Sequence, residues 1–334
     1  MGRVGVLLAA VAMGWWWTMV VVEAAVSLPP EDKPLVLHYY KKLNTCANVE
    51  PFVRHQVKIH WNKDQNLTGK LVKLLYADCM VDGCDASILL DGPNTEKTAP
   101  QNAGLGGFEV IDKIKKVLEI RCPRAVSCAD ILNLAARDAV YLAGAPSYPV
   151  YLGRRDGFES NAAWVDLPTP STSLESALNY FQSKGLDVLD LTTLLGSHTM
   201  GRTHCKYIWD RLYDFNNTGN PDPTLKKSVV VQMRKLCPRE QKPGQSDPIV
   251  YMNPDSGTKF SNSYYTRVLK NKAVLGIDQK LKYGNETSQI ADEFSRYLEN
   301  FRKSFALSMS RMGGLKVLTG DKGEIRRLCR FRNI

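Results

Sequence analysis

Eight cysteines, Cys46, Cys79, Cys84, Cys122, Cys128, Cys205, Cys237 and Cys329, constrain this chain more than any other feature. What they imply depends on the compartment, and the N-terminus points to one. Arg3 precedes a run from Val4 to Val22 without a charged residue, and small residues follow at Ala24 and Ala25. This is the pattern of a secretory signal peptide over residues 1–24, cleaved near Ala24. The run approaches the length of a membrane span, so a signal anchor is the alternative reading. No later stretch is apolar enough to cross a bilayer. An even cysteine count in an oxidising compartment predicts that all eight pair as disulfides. Spacing leaves the pairing open, except that Cys79 and Cys84 are placed to close a tight loop. Zinc is disfavoured: there is no C-x-x-C, and His204 beside Cys205 stands alone.

Residues 25–334 are close to the limit for one hydrophobic core, which predicts a single large domain of two lobes. The formal net charge is +10. Such a surplus favours anionic surroundings: acidic polysaccharide, a membrane surface or nucleic acid. The basic residues are scattered in sequence and not interleaved with aromatics, which argues against nucleic acid. Sequons stand at Asn66 (NLT), Asn216 (NNT) and Asn285 (NET), and the secretory context makes each a candidate glycosylation site.

The texture is helical. From Ser127 to Ala143 apolar residues recur at 131, 134, 135, 139 and 142, with Ser127 placed to cap the start and Gly144 and Pro146 to end it. Phe108–Ile120, Leu186–Leu195 and Ile290–Met312 repeat the period. The segments 91–107, 144–173, 214–224 and 238–262 are rich in Pro, Gly and Asp and read as loops. Within them "VYLGRRDG" and "IVYMNP" suit short strands. No repeat appears, and the fold class is all-α.

Several long stretches then converge. "SCADILNLAARDAVYLAGAPSYPVYLGRRDG" (127–157), "DLTTLLGSHTMGRTHC" (190–205) and "SMSRMGGLKVLTGDKGEIRRLCRFRN" (308–333) resemble the secretory plant haem peroxidases, class III. So do "LHYYKKLNTCANVEPFVRHQV" and "KLLYADCMVDGCDAS" (73–87), and the likeness runs in order over residues 33–333. It implies an all-helical, two-lobed fold with one haem b between the lobes, two structural calcium ions, and the disulfides Cys46–Cys122, Cys79–Cys84, Cys128–Cys329 and Cys205–Cys237. It also implies a monomer that takes hydrogen peroxide and small phenolic donors, secreted to the cell exterior or wall.

The resemblance assigns His198, in "GSHTMG", as the iron ligand, and Asp278, in "LGIDQKL", as the acceptor that orients its ring. Pro168, in "DLPTP", matches the donor entrance. The distal helix departs from the family. Peroxide cleavage needs a base that takes a proton and returns it, and a cation where charge develops. Relatives place an Arg and a His one turn apart, with an aromatic just before the His, so both face the iron. Here those positions hold Lys73, Tyr76 and Ala77. Lysine keeps the charge without the planar fork of donors, a phenol is a poor base near neutrality, and a methyl moves no proton. Asn102 matches the residue that orients the distal His.

The distal calcium pattern is complete in Asp78, Val81, Gly83, Asp85 and Ser87. The proximal pattern begins with Thr199 and then fails: Asn253, Ser256 and Ser261 stand for Asp, Thr and Asp, and Lys259 sits at a backbone-ligand position. This predicts one calcium ion and a proximal site weak or empty unless Asp255 compensates. The functional expectation is a secreted haem peroxidase with strongly reduced activity. The alternatives are a haem-binding sensor or carrier that is not an enzyme, and a wall-associated scaffold without haem.

Overall fold

The computed structural model describes residues 35–240 and 244–333; the signal-peptide segment lies outside them. Helices dominate, and they gather into two groups. The first contains Val49–Lys63, Leu67–Cys79, Phe108–Arg121 and Cys128–Leu142. The second contains Leu174–Ser183, Val188–Leu195, Ser263–Leu269, Asn285–Arg296 and Leu298–Met312. They meet where Leu67–Cys79 crosses the 3₁₀ turn Gly196–Met200. At that crossing Gly69 lies so close that a Cβ on it would be 3.3 Å from the Cα of Gly201. The expected all-α, two-lobed architecture stands, and the chain's candidate site is at this junction.

The first group is organised around Cys128–Leu142, which is buried along nearly its whole length. Ser127 caps it as its spacing suggested, Oγ accepting from Asp130 N at 3.1 Å. The motif "GRRDG" supplies the rest of that helix start. The buried Asp156 carboxylate accepts from the backbone N–H groups of Cys128 and Ala129 at 3.1 and 2.9 Å. Arg154 forks between Asp130 at 2.8 Å and the carbonyl of Gly313. Both strand expectations hold, as two-stranded antiparallel pairs: Val36–Leu37 with Tyr151–Leu152, and Arg202–His204 with Ile249–Tyr251.

The periodic segment Ile290–Met312 is not one helix. It divides into Asn285–Arg296 and Leu298–Met312 at Tyr297, whose backbone is extended (φ −121°, ψ 90°). No Gly or Pro marks the break in the sequence. Tertiary packing makes it: Phe294 and Phe301 turn into one aromatic cluster around Tyr265, with ring centroids 5.2 and 4.9 Å from the tyrosine, while Tyr297 stays exposed.

All four disulfides implied by the resemblance are present: Cys46–Cys122, Cys79–Cys84, Cys128–Cys329 and Cys205–Cys237. Cys128–Cys329 ties the chain's final segment to the first helical group across 201 residues. The fully buried Arg326 then donates to the carbonyls of Ala86 and Gly157, clamping that segment over the 78–87 loop.

Candidate functional site

The site has two walls. On the first, Asp187 and Asp190 form a reciprocal capping box (2.9 and 3.0 Å) that starts Val188–Leu195. The chain tightens into the turn Gly196–Met200, and there only glycine fits at 196, because a Cβ would lie 2.2 Å from the Tyr265 hydroxyl. This turn presents His198. Its Nδ1 lies 2.8 Å from Oδ1 of Asp278, which is carried on Gly276–Lys280 and is 1% exposed. The imidazole keeps 26% of its surface accessible, and among the described residues no group hydrogen-bonds its Nε2. A nitrogen oriented by a buried carboxylate and left open on its other side has the form of a metal-ligating imidazole.

The second wall is Leu67–Cys79. Lys73 is exposed between buried neighbours and has no partner among the described residues. Protein surrounds the ammonium closely enough that desolvation lowers its pKa. Tyr76 is half-buried, and burial together with the nearby Asp166 raises the phenol's pKa further. Ala77 is fully covered. Lys73 and Ala77 lie one turn apart on this helix, as their spacing suggests. Asn102 is buried; its Nδ2 donates to the carbonyl of Glu96 at 2.8 Å, and its Oδ1 has no partner.

Below that helix the 78–87 loop gathers negative charge. Asp78 is fully buried and takes N–H groups from Ala86 (3.0 Å) and Ile88 (3.4 Å). Asp85 takes the N–H of Ser87 at 3.0 Å. Glu96, which the sequence reading did not single out, is near enough that its charge acts on Asp78 and that of Asp85 acts on it. Its two carboxylate oxygens and the Ser87 hydroxyl are buried without partners. Burial first, then Asp85 and Glu96, raise the pKa of Asp78. Burial, with Asp85 beside it, pushes Glu96 up to about 8. Gly157 closes the loop, and a Cβ there would lie 1.9 Å from Asp85 Oδ2. Among the described residues no three carboxylate, histidine or cysteine side chains converge as a ligand set. The donors here are two carboxylates, a hydroxyl and backbone carbonyls, the oxygen mixture that suits calcium. Not every oxygen is free: the Val81 carbonyl accepts from Lys184 Nζ at 2.7 Å, and the Gly83 carbonyl from Asp85 N at 3.0 Å.

The proximal loop is built differently. Asn253 is fully buried and its Nδ2 donates to Thr199 Oγ1 and Ser263 Oγ, both at 2.9 Å. Thr199 Oγ1 donates to the Ser261 carbonyl at 2.8 Å, and Ser256 Oγ to the Thr199 carbonyl at 2.7 Å. Ser261 Oγ donates to Ser263 Oγ at 3.0 Å. An amide donor occupies the centre of the expected ligand set, so the residues present do not fit a cation. Asp255 does not compensate: it is exposed and pairs with Arg267 at 3.1 Å, and Lys259 is exposed on the loop's far end.

Pro168 is half-buried in a segment held by Gln101 Nε2 on the Val165 carbonyl (3.1 Å) and by Ile277 N on the Pro170 carbonyl (2.8 Å). It therefore spans from the Asn102 side to the Asp278 side of the cleft. Asn216 and Asn285 are exposed. Asn66 is half-buried, its amide donating to Asp64 at 2.6 Å, and the Thr68 of its sequon is fully buried with its hydroxyl on the Ala139 carbonyl.

A family model described as Peroxidase matches residues 53–297. "Probable peroxidase 26" of Arabidopsis thaliana is 56% identical over 335 residues, covering all of both chains. "Probable peroxidase 61" of the same plant is 61% identical over 313 residues, 93% of this chain and 92% of that one. "Peroxidase N" of Armoracia rusticana is 40% identical over 295 residues, 86% of this chain and 89% of that one.

Proposed function

The chain belongs to the peroxidase family, as a class III plant member, and from that premise we propose a secreted haem protein whose reaction with hydrogen peroxide is slowed by orders of magnitude. The family is one of oxidoreductases that act on hydrogen peroxide with phenolic donors and carry haem and calcium. The donor chemistry fits haem: His198 offers an open Nε2, and Asp278, accepting at Nδ1, holds the proton on the far nitrogen. When bound there, haem supplies the redox centre at which peroxide is reduced.

The chain's own residues decide how fast. The open face needs a group that takes a proton from one peroxide oxygen and delivers it to the other. Ala77 has none. Tyr76 stays protonated across the physiological range, because burial and Asp166 disfavour its phenolate. Lys73 supplies a positive charge without a bidentate fork. A positioned acid–base group is worth roughly 10²–10⁴-fold. What supports this reading is position 77 itself, where Ala77 carries no group that moves a proton, together with the buried Oδ1 of Asn102, which has no partner among the described residues. Asp78, Asp85 and Ser87, with the Val81 and Gly83 carbonyls, would hold one calcium ion beneath the helix. The unpaired Lys73 favours a second reading, a haem protein that holds a small ligand rather than reducing peroxide.

The test is secreted protein expressed with haem, its absorption spectrum and haem content, and guaiacol turnover with peroxide. A Soret band, one haem per chain and turnover at least ~100-fold below an active relative are expected. His198→Ala should abolish haem retention. Fast turnover overturns the impairment, and a chain that takes up no haem leaves the scaffold reading.

A further inference from the structure

The wall that carries His198 holds two buried polar atoms with nothing to bond. Asp278 uses one carboxylate oxygen: Oδ1 lies 2.8 Å from His198 Nδ1, while Oδ2 is buried without a partner among the described residues. Tyr264, on Ser263–Leu269, is buried too, and its hydroxyl likewise has no partner. A buried polar group left unmet is costly, and a charged one more so. The two shortages are complementary, because a phenol has a proton to donate and an ionised carboxylate can only accept. They are also close together. The Tyr264 ring meets the His198 ring edge-on, with centroids 6.5 Å apart and planes at 73°. Burial first, then the charge of Asp278, raises the pKa of the Tyr264 phenol, so the phenol keeps its proton.

The surroundings fix these side chains against each other. Tyr265, next to Tyr264, donates its hydroxyl to the Thr192 carbonyl at 3.0 Å, which anchors that helix to Val188–Leu195. Asn253 Nδ2 donates both to Thr199 Oγ1, one residue after His198, and to Ser263 Oγ, one residue before Tyr264, each at 2.9 Å. The neutral hydrogen-bond set of the proximal loop therefore ties the turn of the histidine to the helix of the tyrosine.

We propose that the Tyr264 hydroxyl donates to Asp278 Oδ2 and thereby sets how strongly Asp278 pulls on the Nδ1 proton of His198. The inference rests on the reading of His198 as the iron ligand. Tyr264 is a positioning residue, since it acts through Asp278 rather than on the reacting atoms. Two donors then share one carboxylate. A hydrogen bond received at Oδ2 draws on its negative charge, so Oδ1 holds the Nδ1 proton less tightly. The imidazole stays nearer its neutral form and offers less electron density at Nε2. Without the phenol the carboxylate acts undivided on Nδ1, and Nε2 becomes the stronger donor.

The test reads the iron–imidazole stretching frequency of the reduced, haem-loaded protein by resonance Raman, and the reduction potential of the iron. Tyr264→Phe keeps the ring and removes only the hydroxyl. It should shift the frequency upward and the potential downward. Tyr265→Phe, which removes the neighbouring hydroxyl and its bond to Thr192, should leave both at the wild-type values. Asp278→Asn should shift both readouts the other way, and adding Tyr264→Phe to it should change nothing further, because the phenol acts through the carboxylate. The haem-free chain gives a second readout, the downfield Nδ1 proton resonance of His198, assigned by its loss in His198→Ala. Tyr264→Phe should move that resonance further downfield. A chain that takes up no haem contradicts the iron assignment and leaves the proton resonance to decide this inference. No shift in Tyr264→Phe, a shift in the opposite direction, or an equal shift in Tyr265→Phe overturns it.

Discussion

The two walls of the cleft have each kept one half of their equipment. The proximal wall keeps His198 on Asp278 at 2.8 Å, but its cation loop has become a closed set of hydrogen bonds around the Asn253 amide. The Leu67–Cys79 wall keeps the carboxylates of Asp78 and Asp85 near its end, but carries Ala77 one turn after Lys73. The losses leave opposite signatures. Where a cation site was lost, neutral donors and acceptors satisfy one another and only Asn253 Oδ1 is left over. In the Leu67–Cys79 wall and its neighbourhood, the buried Asn102 Oδ1 has no partner among the described residues. In the 78–96 stretch, burial first and neighbouring carboxylates second raise the pKa values of Asp78 and Glu96, and burial raises that of Asp85. A metal loop and the catalytic helix above it are thus separable parts.

The contrast is broken most directly by calcium. With calcium at about a hundred times its Kd, the ion adds about 3 kcal/mol to folding, and Asp85→Ala should forfeit most of it. In calcium-stripped protein the same substitution should be neutral or stabilising, because it removes a charge that repels Asp78 and Glu96. Thermal unfolding with and without calcium reads both. A loss of equal size in both conditions contradicts a distal cation.

The second test uses pH. In calcium-stripped protein the folded pKa of Glu96 lies at about 8, above its unfolded value near 4.5. Between those values the folded state binds more protons than the unfolded chain, so stability falls as pH rises through that window. Melting temperature should drop by several degrees from about pH 5 to about pH 8, and added calcium should abolish the drop by holding the carboxylates ionised.

The proximal loop should respond to neither. Asn253→Ala removes two donated hydrogen bonds and should cost about 1–2 kcal/mol, the same with and without calcium. Asp255→Ala should change stability by less than about 0.5 kcal/mol, since it breaks only an exposed pair with Arg267. Metal analysis should give one calcium per chain; two tightly held ions would contradict the reading of this loop.

Much of this was legible in the sequence, for identifiable reasons. The helix Cys128–Leu142, its Ser127 cap and the two short strand pairs follow from local period and turn chemistry. The disulfide network came from family likeness, since spacing pointed only to Cys79–Cys84. The break at Tyr297 was not legible, because an aromatic cluster from distant segments makes it and no breaker residue stands there. Glu96 was missed although an acid lies six residues before Asn102 in an otherwise neutral-and-basic loop, "NTEKTAPQN". Its importance depends on the fold of 87–96 back over Asp78. At Asn66 the sequon says nothing of the fold around it, in which Thr68 is buried on the Ala139 carbonyl.

The central claim is that the missing proton-transfer group at position 77 limits the reaction with peroxide. Stopped-flow absorbance measures it directly, as the rate of the first peroxide-driven spectral change in haem-loaded wild type and in Ala77→His/Lys73→Arg. The covered methyl at 77 means that neighbours must shift to admit an imidazole, after which Asn102 Oδ1 gains its donor. The wild type should react slowly and the double variant at least ~100-fold faster, within the range expected for a positioned acid–base group. A wild type that already reacts as fast as the double variant, with haem bound normally in both, contradicts it.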